Sequence, residues 1–485
     1  MKRKRMIHAP LVGPAVSLMA GIAVMALWAG GLGSLGALGS LGQLGLLEQL
    51  GLLGLLGLLV VLTALLKRFP VVQTVMICVD FVLVGMVLVQ RQPLPVAPDR
   101  QVEAVVFSEP VEKPKTMAVD LLLPESGEQV RRYLWKDENS RALHLGDGIV
   151  LRRLGEGYVA RRDWYRGGDA VSEMSRLDRV RLRFLSFRQE LLGRYQQTAM
   201  DDDAYGVLAA MTLGDKKALS SEVRETFSVT GASHVLALSG LHLGIIYMLL
   251  SRLFMGRRRF WPAQVVIVMG IWAFAFLTGL STSMVRSATM ISVYAVFSLG
   301  GRSRSSVNLL CFAAMVILLV SPKSLFDVGF QLSFMAVLSI LLFMPFVEQF
   351  WPAENRVHRW LRGMVGVSVT AQIGVAPLIA FYFGRFSTYF LLTNFIVIPL
   401  VTLILYVALV VMLFPSLGGV LVALVDIMNR ALGWVARLPC SSIDGLHPSV
   451  LTVSLLYVIV LLIYLVTSRL SSAVYRSGLQ PPSEE

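Results

Sequence analysis

Apolar positions in this chain come in long unbroken runs, with neither the one-sided stripe of a soluble helix nor the alternation of a half-buried strand. A run of about 20 apolar residues crosses a bilayer as a helix. Twelve such runs are predicted, at about 11–28, 46–66, 71–89, 235–252, 262–280, 283–300, 306–320, 329–347, 365–383, 388–413, 417–437 and 450–467. The first follows the basic start Lys2, Arg3, Lys4 and Arg5. Further spans close behind make it an uncleaved first span, not a signal peptide. A Gly/Leu tract separates it from the second, with Gly at 33, 36, 39, 42 and 45 and again at 51, 54 and 57 around Glu48 and Gln49. A period of three differs from the helical repeat of about 3.6, so these glycines spiral around a helix without forming one stripe. The tract is low-complexity sequence, read as an apolar outer loop or a partial re-entrant helix.

Between Arg91 and Asp203 the apolar runs shorten and charges crowd in. Alternation appears in the segments starting at Gln101, Met117 and Gly148, with turn signals between them. This is a small inserted β domain. From Arg141 to Arg194 there are 12 basic against 7 acidic residues, so its later half is a basic surface. Leu177–Tyr195 then mixes Arg179, Arg181, Arg183, Arg188 and Arg194 with Leu182, Phe184, Leu185, Leu191 and Leu192. That pattern suits an amphipathic helix, lying on the membrane or packed on the β domain.

Composition agrees with a membrane protein and excludes the alternatives. Only 15% of the 485 residues are charged and 55% are hydrophobic, against about a quarter charged in soluble domains. Cys78, Cys311 and Cys440 form no CxxC pair and no disulfide framework. The net charge of +13 is explained first by cytoplasmic loops collecting Lys and Arg. With a cytoplasmic N-terminus, three spans put the β domain outside. The loops that return inside are then 252–259 with four Arg, 301–304 with two, 348–362 with three, and a tail with Arg469 and Arg476. Outer loops hold Lys323 and Arg385. The expected fold is a polytopic α-helical membrane protein of about twelve spans with an inserted extracytoplasmic β domain. Its parts are residues 1–90 with three spans, the β domain at 91–176, connecting amphipathic and re-entrant helices at 177–232, a nine-span core at 233–468, and a cytoplasmic tail at 469–485.

Polar groups inside spans are costly, so those present are functional candidates by default. The densest set lies between Asp201 and Gly244, where His234, Ser239, Gly240, His242 and Gly244 open a membrane helix in the manner of a broken element facing water. Two His eight apart without a nearby carboxylate do not make a zinc site. Ser239 and His242 could act as nucleophile and base, but neither a GxSxG elbow nor an orienting carboxylate accompanies them. Helix packing by the glycines and an interhelical hydrogen bond from His242 compete evenly with pore lining. The second set is a polar hinge, Leu277–Met290, with Ser281, Thr282, Ser283, Ser287 and Thr289 around Arg286, one turn inside the next helix. Arg286 could snorkel to the outer surface or present a fixed cation to a phosphate. Gln331, Ser333, Gln372, Asn394 and Asp426 complete the intramembrane polar residues. No P-loop is present, so the sequence supplies no ATPase of its own.

The segments His234–Gly244, Thr278–Met290 and Phe326–Phe334, in that order, resemble the ComEC competence family, and the resemblance covers nearly the whole chain. It implies that the β domain is OB-like and that the protein is the bacterial inner-membrane channel through which one strand of transforming DNA enters the cytoplasm. His234, Ser239, His242, Ser281, Ser283, Arg286, Gln331 and Gln372 are then the expected channel lining. Arg152, Arg153, Arg161, Arg162, Trp164 and Arg166 are the expected DNA-binding set of the outer domain, where cations interleave with Tyr133, Trp135, Tyr158 and Tyr165 as stacking platforms. Many family members continue into a metallo-β-lactamase-like domain. The six His here, His8, His144, His234, His242, His358 and His447, form no HxHxDH cluster. The sequence therefore predicts no enzyme activity, metal or cofactor, and partners that include a separate DNA receptor, a nuclease, and a cytoplasmic ATPase or single-strand-binding protein. The rival expectation is a secondary transporter or lipid-handling membrane enzyme with a small-molecule site at the broken helices.

Overall fold

A computed structural model describes residues 10–33, 70–90, 101–125, 127–154, 158–167, 170–197, 201–254, 261–298 and 306–476. The predicted second span and most of the Gly/Leu tract lie outside the described residues. Helices α1 (Val12–Gly33) and α2 (Pro70–Gln90) pair at the start of the chain. Their backbones touch: a Cβ on Gly85 would fall 2.5 Å from the Leu18 carbonyl oxygen. Lipid is as apolar as a leucine side chain, so close backbone approach, not a hydrophobic drive, holds such a pair.

The alternating segment forms β1 (Gln101–Val106), β2 (Val111–Glu112), β3 (Thr116–Leu123), β4 (Glu128–Trp135), β5 (Gly148–Leu154) and β6 (Tyr158–Arg166), with the short α3 (Glu138–Arg141) between β4 and β5. β4 pairs along the whole of β3, so β1 and β2 share its other edge in succession; β5 pairs with β1, and β6 with β5. A register shift in the β5–β6 pair adds twist, and β4 comes to lie against β6. Period-two patterning sends Val106, Val119, Leu121, Leu134, Ile149 and Leu151 into one buried core.

The rest is helical. A short helix α4 (Ala170–Glu173) and the longer α5 (Arg176–Gln197) follow the sheet, then α6 (Asp202–Leu213), α7 (Ser221–Val229), α8 (Ser233–Leu236), α9 (Gly240–Leu253), α10 (Trp261–Leu277), α11 (Thr282–Ser298) and α12 (Ser306–Val320). The chain ends in α13 (Val328–Phe350), α14 (Arg356–Phe383), α15 (Phe390–Leu413), α16 (Gly418–Ala436) and α17 (Val450–Arg476). A two-stranded antiparallel sheet, β7 (Arg385–Ser387) with β8 (Ser442–Asp444), brings together the ends of α14 and α16. Among the described residues, α13 to α17 are the five helices long and apolar enough to cross a membrane; five shorter apolar helices accompany them. Twelve full spans are therefore more than the described helices supply. The clearest shortfall is the expected span 235–252. It is broken, with extended backbone at Ala237 and Ser239, so α9 has only 14 residues, about 21 Å of rise.

Candidate functional site

The break before α9 is held by its own side chains. Ser239 caps the helix, and its N–H donates to Nδ1 of His242 at 3.3 Å. The Ser239 hydroxyl lies 3.2 Å from the same nitrogen. His242 is fully buried, and its Nε2 has no hydrogen-bond partner among the described residues. A ring nitrogen that accepts a backbone N–H is satisfying a helix end, one of the four orphan donors every helix leaves. His234 sits on the other side of the break, with Nδ1 2.9 Å from the Gly231 carbonyl oxygen. Among the described residues no group of three or more His, Cys, Asp or Glu could hold a metal ion.

This helix end abuts α11. A Cβ on Gly240 would lie 3.2 Å from the Ser287 hydroxyl, so the two polar segments of the sequence meet directly. On the neighbouring face of α11, Arg286 is 5% exposed, and its Nη1 donates to Oδ1 of Asp327 at 3.1 Å. Arg286 is thus a buried cation paired with a carboxylate, not one snorkelling to the surface. The same Asp327 oxygen accepts the Phe330 N–H at 2.8 Å and caps α13. Gly329 completes the fit, because a Cβ there would fall 2.7 Å from Arg286 Nη2. Asp327 stood in the third motif without an assigned role; its spacing three residues ahead of Phe330, in a Ser/Asp-type cap position before an apolar run, is the signal that locates it.

Gln331 extends the cluster toward α14. Its Nε2 donates to the Leu325 carbonyl at 3.0 Å and its Oε1 accepts from the Tyr382 hydroxyl at 2.7 Å. Tyr382 carries no signal in the sequence beyond being a polar-tipped aromatic in a span. Ser281 is exposed and Ser283 half-buried at the start of α11. Gln372, half-buried on α14, makes no hydrogen bond to this cluster among the described residues. The structure thus brings together Ser239, His242, Ser287, Arg286, Asp327 and Gln331, and leaves His234 and Gln372 at its margins.

Helix α5 ties the sheet to this site. Arg181 lies over the Phe107 ring, 5.1 Å from its centroid, while its Nη2 donates to Gln129 Oε1 and to the Gly279 carbonyl, each at 3.2 Å. Gly279 and Leu280 both have positive φ, 83° and 55°, in the hinge just before α11. Phe184 meets Phe276 at 5.6 Å, and Arg188 pairs with Asp215 at 3.8 Å. Lys217 donates to the Glu109 carbonyl at 2.6 Å. Burial pulls the Lys217 ammonium below its usual range, and Asp215 opposes that shift. The helix packs on the sheet on one side, as one of its two expected placements has it, and on the hinge before α11 on the other. Arg181→Ala is expected to loosen the sheet from the Gly279 hinge. Limited proteolysis of membranes should then cut faster between residues 167 and 201, and an unchanged digestion pattern would show that the strut bears no strain.

On the sheet, Arg152 and Arg153 lie on β5 and Arg161 and Arg162 on β6. Arg166 pairs with Asp147 at 3.0 Å. Trp164 is opposite Leu151 and half-buried against the domain core, which removes it from the outer face. The alternation that turns Leu134 and Trp164 inward turns Tyr133, Trp135 and Tyr165 outward, 42%, 43% and 54% exposed.

Residues 211–470, more than half of the chain, match the competence protein family. The chain belongs to that family. ComE operon protein 3 of Bacillus subtilis is 26% identical over 321 residues, 64% of this chain and 40% of its own length. An uncharacterized protein of Aquifex aeolicus is 31% identical over 196 residues, 40% of this chain and 45% of its own. Recombination protein 2 of Haemophilus influenzae is 25% identical over 272 residues, 52% of this chain and 34% of its own. The chain thus spans less than half the length of these relatives. No solved structure matches it. Family membership together with the five long apolar helices makes this competence protein a multi-pass membrane protein. The family match encloses all three polar segments of the site, from His234 to Gln331, and begins inside α6, after the sheet and the α5 strut.

Proposed function

We propose that this competence protein is the channel through which single-stranded DNA enters the cytoplasm. The observation that carries the reading is the meeting of three separate polar segments, Ser239–His242, Arg286–Ser287 and Asp327–Gln331, inside an otherwise apolar helix bundle. Polar groups this costly in a membrane are kept where they line a path or brace one. In this reading His234, Ser239, His242, Ser281, Ser283, Gln331 and Gln372 offer neutral donors and acceptors to a passing strand. Arg286, held by Asp327, braces α11 against α13. The names ComE operon protein 3 and Recombination protein 2, borne by two relatives, agree with a protein that handles DNA.

The sheet is the receiving module, of the OB-like type. Its strand order, with the first strand shared between the third and fifth and a short helix between β4 and β5, supports that assignment. Arg152, Arg153, Arg161, Arg162 and Arg166 supply phosphate electrostatics, and the outward Tyr133, Trp135 and Tyr165 take the stacking role in place of Trp164. The module lies outside the inner membrane, with both termini cytoplasmic, and residues 233–468 form the core. A DNA receptor, a nuclease and a cytoplasmic ATPase or single-strand-binding protein complete the system. The test is entry of labelled DNA into cells carrying wild type, Arg286→Ala or His242→Ala, with membrane abundance followed in parallel. The expected result is DNA bound outside that fails to enter when either stable variant replaces wild type. Unchanged entry in a full deletion would end the channel reading.

A further inference from the structure

Arg286 also lines a cavity on the α11 surface. A cavity of about 610 Å³ runs along the α11 stripe Thr282, Arg286, Thr289, Val293 and Val296, and is closed on the far side by α12. It changes character along its length. At the end next to the Gly279 hinge its walls carry Thr282, Arg286, Ser321 and Ser324; at the other end they are Val293, Val296, Phe297, Phe312 and Val316. Lys323 stands exposed between Ser321 and Ser324, so Arg286, Lys323 and Asp327 leave the polar end with a net positive charge. From Thr282 to Phe297 the helix rises about 22 Å, more than half of a hydrocarbon core about 30 Å thick.

We propose that this groove is a binding site for one anionic phospholipid. The phosphate sits at the Arg286 end and accepts from the hydroxyls of Thr282, Ser321 and Ser324; one acyl chain lies along Val293, Val296 and Phe312. A cationic, hydroxyl-bearing mouth on a long apolar slot fits an amphiphile and not a nucleic-acid strand, whose charged backbone would face bare valine and phenylalanine. The polar end is on the side of the β-sheet domain, because Arg181 of α5 bonds both Gln129 of that domain and the adjacent Gly279 carbonyl. The lipid therefore comes from the leaflet on that side. Its presence would hold α11 against α12, where the only close aromatic contact is Phe297 with Phe312 at 5.4 Å among the described residues.

The site is tested on the full chain in nanodiscs or detergent by native mass spectrometry, after titration with dioleoyl-phosphatidylglycerol or dioleoyl-phosphatidylcholine. The expected result is one phosphatidylglycerol retained in preference to phosphatidylcholine. Arg286→Gln should weaken that retention about tenfold or more, the effect of losing a charge-assisted hydrogen bond. Val296→Trp fills the exposed apolar end without touching a charge, and should abolish retention while the protein still elutes as wild type. Equal retention of both lipids, or a Val296→Trp protein that keeps its phosphatidylglycerol, would overturn the proposal. None of these readouts involves DNA, so they stand or fall apart from the channel reading.

Discussion

Asp327→Ala is expected to destabilise the protein more than any other single change in the polar cluster, because it removes two things at once. The substitution strips Arg286, buried at 5% exposure, of its ion-pair partner, and it strips α13 of its N-cap. Breaking a fully buried pair costs about 3–5 kcal/mol. The Asp327 side chain is 40% exposed, so water compensates part of that loss and about 1–3 kcal/mol is expected here. Loss of the cap adds about 1 kcal/mol. Asp327→Asn separates the two contributions, since its amide oxygen still accepts the Phe330 N–H but carries no charge. Melting of the purified protein in detergent should fall in the order wild type, Asp327→Asn, Asp327→Ala. Arg286→Met combined with Asp327→Asn should recover most of the loss, because an uncharged pair leaves nothing unpaired. If Asp327→Ala melts with wild type, the pair is not what joins α11 to α13.

The second large effect is expected at Gly374→Leu. Helices α13 and α14 approach so closely there that a Cβ on Gly374 would lie 2.5 Å from the Met335 carbonyl oxygen and 2.6 Å from Ser339 Cβ. A backbone carbonyl cannot swing aside as the end of a flexible side chain can. The contact also carries a hydrogen bond from Ser339 Oγ to the Thr370 carbonyl at 2.6 Å, and on α17 Tyr457 Oη donates to the Gly374 carbonyl at 2.9 Å. Leucine forces α13 and α14 apart and breaks the Ser339–Thr370 bond, on top of the overpacking cost of about 1–3 kcal/mol seen in soluble cores. Membrane abundance and resistance to protease should both collapse. Gly433→Ala is the matched control, because nothing lies within 4 Å of a Cβ placed there. Alanine in that helix interior should be silent or stabilise by about 0.5–1 kcal/mol. Similar losses in both variants would mean that Gly374 marks no special contact.

Much of the architecture could be read from the chain because a membrane makes few demands of it. Every backbone group must be satisfied within the lipid, so long apolar runs become helices, and the runs at 329–347, 365–383, 388–413, 417–437 and 450–467 fall on α13 to α17, with α14 starting earlier at Arg356 and α17 running on to Arg476. Strand alternation from Gln101, Met117 and Gly148 gave β1, β3 and β5 within a residue or two. The break at Ala237–Ser239 was foreshadowed by the small and polar residues around it, but its position was not. Hydropathy averages over many residues, whereas the break depends on one imidazole accepting one N–H.

The site divides along the same line. Sequence marked Ser239, His242, Arg286 and Gln331 because polar side chains in lipid are conspicuous one at a time. It could not mark their partners. Asp327 lies 41 residues from Arg286, and Tyr382 lies 51 from Gln331, so neither pairing has any local pattern. Trp164 and Tyr165 differ only in which face of β6 they occupy, and that parity follows from the register against β5, where Leu151 stands opposite Trp164. The amino-acid order by itself determined which segments form long apolar helices, which form strands and which polar residues demand explanation, because those follow from local solvation. Tertiary structure alone decided that Arg286 is a paired brace with Asp327, that Gly374 must lack a side chain, and that a slot opens along α11. Each of these is a contact between segments far apart in the chain, fixed only when the helices pack.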